Sequence, residues 1–172
     1  MSNNGSTRGL GNTMSIIAWV LLSAMLFWYF SDFIDAQQNP NRDLMTEAND
    51  SGVPEVILKR NRAGHYITPG QINGFPVVFL VDTGATGVAL SQETARTIGL
   101  RPGRSVTTQT ANGTARAYLT RLDRVGVGAI EQRDVAATIS PGLKIQEVLL
   151  GMSFLRNLEM LQQGDELRLR QL

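Results

Sequence analysis

The chain has 172 residues, a formal net charge of +1 at pH 7 and no cysteine. This length is typical of one domain with accessory segments. A near-neutral chain with scattered basic residues lacks the concentrated positive charge of a nucleic-acid-binding protein, so no nucleic-acid partner is expected. Without cysteine, the chain forms no disulfide, holds no metal through a thiolate and has no cysteine nucleophile.

The amino-terminal region contains an uncharged run of 17 residues, MSIIAWVLLSAMLFWYF, at positions 14–30. The run is close to the shortest stretch that spans a bilayer. Trp28 and Tyr29 at its end suit the aromatic belt of a membrane interface. We therefore predict a tail over residues 1–13 and a single transmembrane helix over residues 14–31. A cleaved signal peptide is the alternative, but the bulky end of the run does not match a small-residue cleavage site.

The charges on either side of this run predict its orientation. Arg8 precedes it, whereas the first charges after it are Asp32 and Asp35. Because positive charge favours the cytoplasmic side, we expect a cytoplasmic amino terminus. The predicted localisation is a bacterial inner membrane, with the rest of the chain in the periplasm.

The residues after the run change in character at about position 56. Residues 32–55 are polar and rich in Asn, Asp and Gln, which predicts a flexible tether. Residues 56–172 consist of short β-branched runs separated by turn signals, which is typical of an all-β domain.

Local signals predict individual elements of this domain. Asn73-Gly74 and Asn112-Gly113 are preferred centres of two-residue hairpin turns. Between them, Ser91 as N-cap and Gly99 as C-terminal stop predict one short helix. Residues 125–139 predict two more strands, and Gly164-Asp165 predicts the turn of a closing hairpin.

One ionisable residue, Asp82, follows directly after the apolar run from Val77 to Val81. The triplet Asp82-Thr83-Gly84 is weak by itself, because all three residues are ordinary turn formers. A carboxylate at the end of a core strand nevertheless needs a function or hydrogen-bond donors nearby. A glycine two residues later would let backbone amides approach it.

Two further features accompany the triplet: the Asn-Gly hairpin about thirty residues later, and Leu149-Leu150-Gly151 in the last quarter of the chain. With these three features the chain resembles retropepsin-like (retroviral-type) aspartic proteases, in particular their bacterial membrane-anchored members. The resemblance covers residues 56–172. It implies an all-β fold, with a closed β-barrel protomer that contains one or two short helices.

The resemblance also implies roles for particular residues. Asp82 would be catalytic, and Thr83, Gly84 and Ala85 would complete the active-site loop. The crossing segment Leu149, Leu150 and Gly151 would support this loop. The flap over the substrate would be the hairpin tip formed by Thr110, Ala111, Asn112, Gly113 and Thr114.

The chemistry of such a site explains why two copies are needed. Peptide hydrolysis without a metal uses two carboxylates that share one proton, and the chain contains one Asp-Thr-Gly. We therefore expect a homodimer that places Asp82 against its copy. It would act on a polypeptide near the membrane, without metal or cofactor. The alternative is a catalytically silent, membrane-tethered peptide-binding module of the same fold.

Two positions depart from the retroviral pattern. Thr86 and Met152 stand where retroviral members carry an acidic and a basic residue that pair to steady the dimer. As substitutes, we expect the chain ends, Val56–Lys59 and Leu167–Arg170, to interleave in a sheet between subunits.

Overall fold

The computed structural model describes residues 5–48, 52–110 and 113–172. The chain divides into two compact units, residues 1–37 and 38–172. Helix α1, Gly5–Gln38, dominates the first unit. Its stretch Gly11–Ser31 is long and apolar enough to cross a membrane, a property that membrane anchors share with signal sequences.

The segment predicted to be a flexible tether carries structure of its own. Helix α1 continues past residue 31 to Gln38, and Met45–Ala48 form strand β1. Between them, Asn41 is 4% exposed. Its Nδ2 donates to the carbonyl oxygens of Lys59 (2.9 Å) and Ile67 (2.7 Å), and its Oδ1 accepts from the Lys59 amide. Asn41 thus provides hydrogen-bond partners for three backbone groups. These bonds fix the residues around it within the second unit.

Six strands of the second unit close into a barrel. Their order is β3-β4-β9-β5-β8-β7, and β7 pairs again with β3 through Gln71 with Gly126 and Ile72 with Val125. Strand β6 lies outside the ring, on β7. The strands are β3 (Ile67–Ile72), β4 (Phe75–Val81), β5 (Val88–Ser91), β6 (Ser105–Thr110), β7 (Gly113–Val127), β8 (Ile130–Ser140) and β9 (Val148–Leu150).

The predictions for the Asn73-Gly74 turn and for the start and end of the short helix are confirmed. Asn73 and Gly74 have φ values of 52° and 85°, which is the backbone of a type I′ turn between β3 and β4. Helix α2, Gln92–Thr97, begins after Ser91, whose side chain accepts from the Thr94 amide at 3.0 Å. Gly99, with φ of 73°, follows the end of α2. A second short helix, α3, spans Met152–Leu155.

A four-stranded antiparallel sheet completes the second unit, in the order β1-β2-β11-β10. Its other strands are β2 (Pro54–Lys59), β10 (Leu158–Gln163) and β11 (Glu166–Gln171), and β10 and β11 form the predicted closing hairpin. The expected interleaving of the chain ends between subunits is wrong for these strands. Leu167 to Arg170 pair with Leu58 to Glu55 of the same chain, so β2 and β11 are the two inner strands. Their backbone groups are therefore already used within one protomer.

One hydrophobic core joins this sheet to the barrel. Val56, Leu58 and Leu169 from the sheet are fully buried in the same cluster as Phe79 and Leu150 from the barrel. The predicted fold is confirmed: a mostly β, closed barrel with two short helices, preceded by an apolar helix.

Candidate active site

The loop from Asp82 to Gly87 connects β4 to β5. Backbone hydrogen bonds of Asp82 fix the first part of this loop. The Asp82 amide donates to the carbonyl oxygen of Leu150 at 3.2 Å, and the Ala85 amide donates back to the carbonyl oxygen of Asp82 at 3.2 Å. The amide of Gly84 donates to Asp82 Oδ1 at 2.9 Å. The carboxylate is half-buried, and Thr83 and Gly84 are exposed. The loop thus orients one carboxylate oxygen and leaves the group accessible.

The predicted crossing segment lies between the two strands that flank this loop. Strand β9 pairs in parallel with β4, where Leu150 lies opposite Val81. It pairs antiparallel with β5, where Leu149 lies opposite Ala89. Strand β9 is thus inserted into the barrel wall, where Leu150 is fully buried and Leu149 is half-buried.

Gly151, directly after β9, has no room for a side chain. A Cβ atom at this position would lie 2.3 Å from the carbonyl oxygen of Gly87 and 2.6 Å from that of Ala85. Both atoms belong to the backbone of the active-site loop. The glycine therefore allows the crossing segment to approach the loop in van der Waals contact.

The start of α3 holds the far side of the loop. The Met152 amide donates to the carbonyl oxygen of Ala85 at 2.8 Å. The Ser153 hydroxyl accepts from the Val88 amide at 3.0 Å and donates to the carbonyl oxygen of Ala136 at 2.7 Å. Ser153 therefore connects the end of the loop, α3 and β8 through a single side chain.

The two positions that depart from the retroviral pattern both lie at this loop or in contact with it. Thr86 is exposed. The backbone amide of Met152 makes the hydrogen bond to the loop. Sequence reasoning missed Ser153, whose only signal is its position on the first turn after Gly151.

The predicted flap is a β-hairpin formed by β6 and β7. The register pairs Thr110 with Gly113 and Gln109 with Thr114. The predicted Asn112-Gly113 turn falls partly on residues that the structure does not describe. Ala111 and Asn112 lie outside the described residues. Gly113 has φ of 102°, and Thr114 is exposed.

Strand pairing connects the hairpin to the Asp82 loop through the barrel sheet. Strand β7 pairs with β8, and β8 pairs with β5, the strand that leaves the loop. The structure thus brings together Asp82, Leu150 and Gly151 by direct contact. The hairpin residues lie on a separate element of the same sheet.

The comparisons with known proteins agree with this geometry. The family model described as gag-polyprotein putative aspartyl protease matches residues 68–157, a range that includes every residue predicted to belong to the site. A retropepsin-like aspartic protease from Rickettsia conorii is similar in structure, with a TM-score of 0.62 and 32% sequence identity. The alignment covers 75% of this chain and 96% of that one.

Two curated relatives are uncharacterised bacterial proteins. One, from a Sinorhizobium species and encoded in the cobV 5′ region, is 45% identical over 69% of this chain and 53% of its own length. The other, from Rickettsia prowazekii, is 33% identical over 60% of this chain and 45% of its own length. The chain thus spans about half the length of the curated relatives that it matches. From the family match and the structural similarity, the chain belongs to the retropepsin-like aspartic protease family.

Proposed function

We propose that the chain is an aspartic endopeptidase in which Asp82 of two copies forms one catalytic site. The observation that carries this proposal is the Asp82 loop. Its carboxylate is half-buried and accepts from the Gly84 amide, and its backbone is held by Leu150 and Met152. A carboxylate on a braced loop has the fixed position that acid–base catalysis requires.

The proposed reaction is hydrolysis of a peptide bond by an activated water. One Asp82 carboxylate takes a proton from water, and the protonated carboxyl of the other copy donates a hydrogen bond to the scissile carbonyl oxygen. Two carboxylates in contact do not both ionise, so the pair holds one proton and titrates as a unit. Because each chain contributes one Asp-Thr-Gly, a monomer would be inactive.

Neighbouring residues receive supporting roles in this proposal. Thr83 is exposed beside Asp82, which suits a hydroxyl that bonds across the two-fold axis. Gly84 and Ala85 would present backbone groups to the carboxylate and to the substrate. The hairpin around Thr110, Gly113 and Thr114 would close over the peptide and exclude water.

We also propose that α1 anchors the enzyme in a bacterial inner membrane, with the second unit in the periplasm. Support comes from the apolar stretch Gly11–Ser31 and from the charges that flank it. Substrates would then be polypeptides close to the membrane surface. The natural chain lacks cysteine, so one cysteine introduced at exposed Asp123 tests the orientation. A thiol reagent that does not cross membranes should label it once the outer membrane is permeabilised, and protection from the reagent would contradict the periplasmic location.

Substitution of Asp82 tests the activity. In the full-length chain, Asp82→Asn should abolish cleavage of a peptide library between pH 3 and 7 while the protein still dimerises. Asp123→Asn makes the same chemical change at an exposed strand position and should leave cleavage intact. A dimer that binds peptides but cleaves none, whether Asp82 is present or not, would contradict the proposal and identify the chain as a binding module.

A further inference from the structure

The outer strand of the four-stranded sheet, β10, has an open edge. In the order β1-β2-β11-β10, no strand among the described residues lies on its other side. All six of its residues pair with β11 in one continuous register, without a bulge. Soluble proteins protect such edges with lysine, proline or a bulge. The sequence of β10, LEMLQQ, contains neither lysine nor proline.

The side chains of β10 also favour contact with another chain. Met160 is 37% exposed and Leu161 is 51% exposed. They lie on opposite faces of the strand, because side chains alternate. The one charged residue, Glu159, is held by Arg170 of the same chain at 3.1 Å. The outer strand of the barrel sheet, β6, has the polar sequence SVTTQT instead.

The position of β10 is coupled to the Asp82 loop through a short, braced connection. The Met152 amide at the start of α3 bonds to Ala85 of the loop, and only residues 156 and 157 separate α3 from β10. Gln132 braces this connection, because its Nε2 donates to the Phe154 carbonyl oxygen and its Oε1 accepts from Asn157 Nδ2, both at 2.9 Å. A contact made at β10 would therefore fix the loop as well.

We infer that β10 is the dimer surface, and that two copies pair their β10 strands antiparallel across a two-fold axis at Leu161. The inference rests on the proposed function, which requires a second copy of Asp82. It assigns to β10 the contact that sequence reasoning had assigned to β2 and β11. The two four-stranded sheets become one continuous sheet.

An antiparallel pair of identical strands suits this arrangement because it is self-complementary. With the axis at residue 161, Leu161 lies opposite its own copy, so the most exposed apolar side chain of the strand is covered. Met160 then lies opposite Gln162 and Glu159 opposite Gln163, so no like charges oppose each other across the new ladder. The pairing satisfies backbone groups that water otherwise covers.

Cysteine crosslinking tests the register directly, since the natural chain has no cysteine. Single cysteines are placed in turn at positions 159 to 163 of the full-length chain, and membranes that contain each variant are oxidised. Disulfide-linked dimers should be most abundant for Leu161→Cys. The yield should fall steeply on both sides, because each step along the strand separates the two copies by about 7 Å and a disulfide needs Cβ atoms within about 4.5 Å. Phe75→Cys, at an exposed position of the β3–β4 hairpin, is the control and should not crosslink.

A charge at the axis provides an independent test. Leu161→Lys brings two like charges together, so the dimer dissociation constant should rise about tenfold or more. Peptide cleavage should fall with it and recover at high protein concentration. Phe75→Lys introduces the same charge at a similarly exposed position and should change neither quantity.

The outcomes separate this inference from the proposed function. A dimer with Asp82-dependent cleavage that does not crosslink at any of the five positions would overturn the role of β10 and leave the proposed function intact. A wild-type chain that stays monomeric at every concentration would overturn both.

Discussion

The Asp82 loop and the β6–β7 hairpin are held in opposite ways. The loop is bound by one distant segment of the chain, through its four consecutive residues Leu150, Gly151, Met152 and Ser153. The hairpin is held along its length by its own strand pairing, from Ser105 opposite Tyr118 to Thr110 opposite Gly113. One region has its conformation fixed by residues that are distant in the sequence, whereas the end of the other is formed by pairing between two consecutive strands.

This difference suits the two roles in the proposed mechanism. A catalytic carboxylate loses rate when it is displaced by as little as about 1 Å, so it benefits from contacts on all sides. A lid must open and close on each turnover, so few contacts with the barrel are an advantage. Variants that loosen the loop or stiffen the hairpin therefore test the comparison.

The largest effect is expected for Gly151→Ala. The new Cβ would lie 2.3 Å and 2.6 Å from two carbonyl oxygens of the loop, so the backbone must move. We expect a loss of about 3 kcal/mol in unfolding free energy and a fall in kcat/KM of about 100-fold or more, measured by denaturant unfolding and peptide cleavage. Gly142→Ala is the matched control, because a Cβ there meets no atom within 4 Å. Equal effects at both glycines would contradict the close approach of the Leu149-Leu150-Gly151 segment to the Asp82 loop.

Ser153→Ala should have the next largest effect. It removes the hydroxyl that bonds both Val88 and Ala136 and leaves two backbone groups unsatisfied, at a cost of about 1 to 3 kcal/mol. If Ser153 positions the loop, kcat should fall about tenfold with little change in KM. Ser153→Thr keeps the hydroxyl and should restore most of kcat. An alanine variant that loses stability but keeps full kcat would show that the serine has a structural role alone.

Gly113→Ala tests the hairpin with a smaller perturbation. Gly113 has φ of 102°, and an L-residue at such an angle costs about 1 to 3 kcal/mol of local strain. We expect a several-fold change in KM. Gly74→Ala, at φ of 85° in the β3–β4 turn, carries similar strain away from the proposed site and should leave KM unchanged. The same KM change in both variants would show that it reflects general destabilisation and not a flap.

The smallest effect is expected at the ion pair between Arg121 of β7 and Asp134 of β8, which lies outside both regions. The hydrogen bond from the Arg121 guanidinium holds the pKa of the Asp134 carboxyl below its ordinary value. The pair therefore adds stability above the unfolded-state pKa of about 3.8, and that contribution disappears as the pH falls through the lower folded-state pKa. In thermal unfolding, Arg121→Gln should be slightly less stable than the wild type at pH 7 and equal to it in strong acid. A difference in melting temperature between the two proteins that persists in strong acid would contradict this account.

The features that were predictable from sequence have local causes. The Asn73-Gly74 turn, the Ser91 cap and the Gly99 stop each depend on residues within one turn of the chain. The Asp82 loop and the Leu149-Leu150-Gly151 crossing were expected from the family resemblance, and their contact is a hydrogen bond between Asp82 and Leu150.

The features that were not predicted depend on contacts between distant residues. Asn41 bonds to Ile67, 26 residues away, and Ser153 bonds to Val88, 65 residues away. Short polar side chains of this kind occur in any loop, and no sequence pattern marks which of them will find a distant backbone group. The pairing of β2 with β11 inside one protomer was missed for a related reason. A strand carries the same alternation of side chains whether its partner is in its own chain or in another.

Subunit mixing tests the central claim, a site shared by Asp82 of two copies, most directly. Wild-type and Asp82→Asn chains are mixed at equal amounts and constant total concentration, and cleavage is measured after the subunits have exchanged. If one site needs both carboxylates, activity should fall to about one quarter of the wild-type value, because only dimers of two wild-type chains are active. Mixing with Asp123→Asn chains should leave activity unchanged. Activity at one half of the wild-type value in the Asp82→Asn mixture would show that each chain works alone, and would contradict the account.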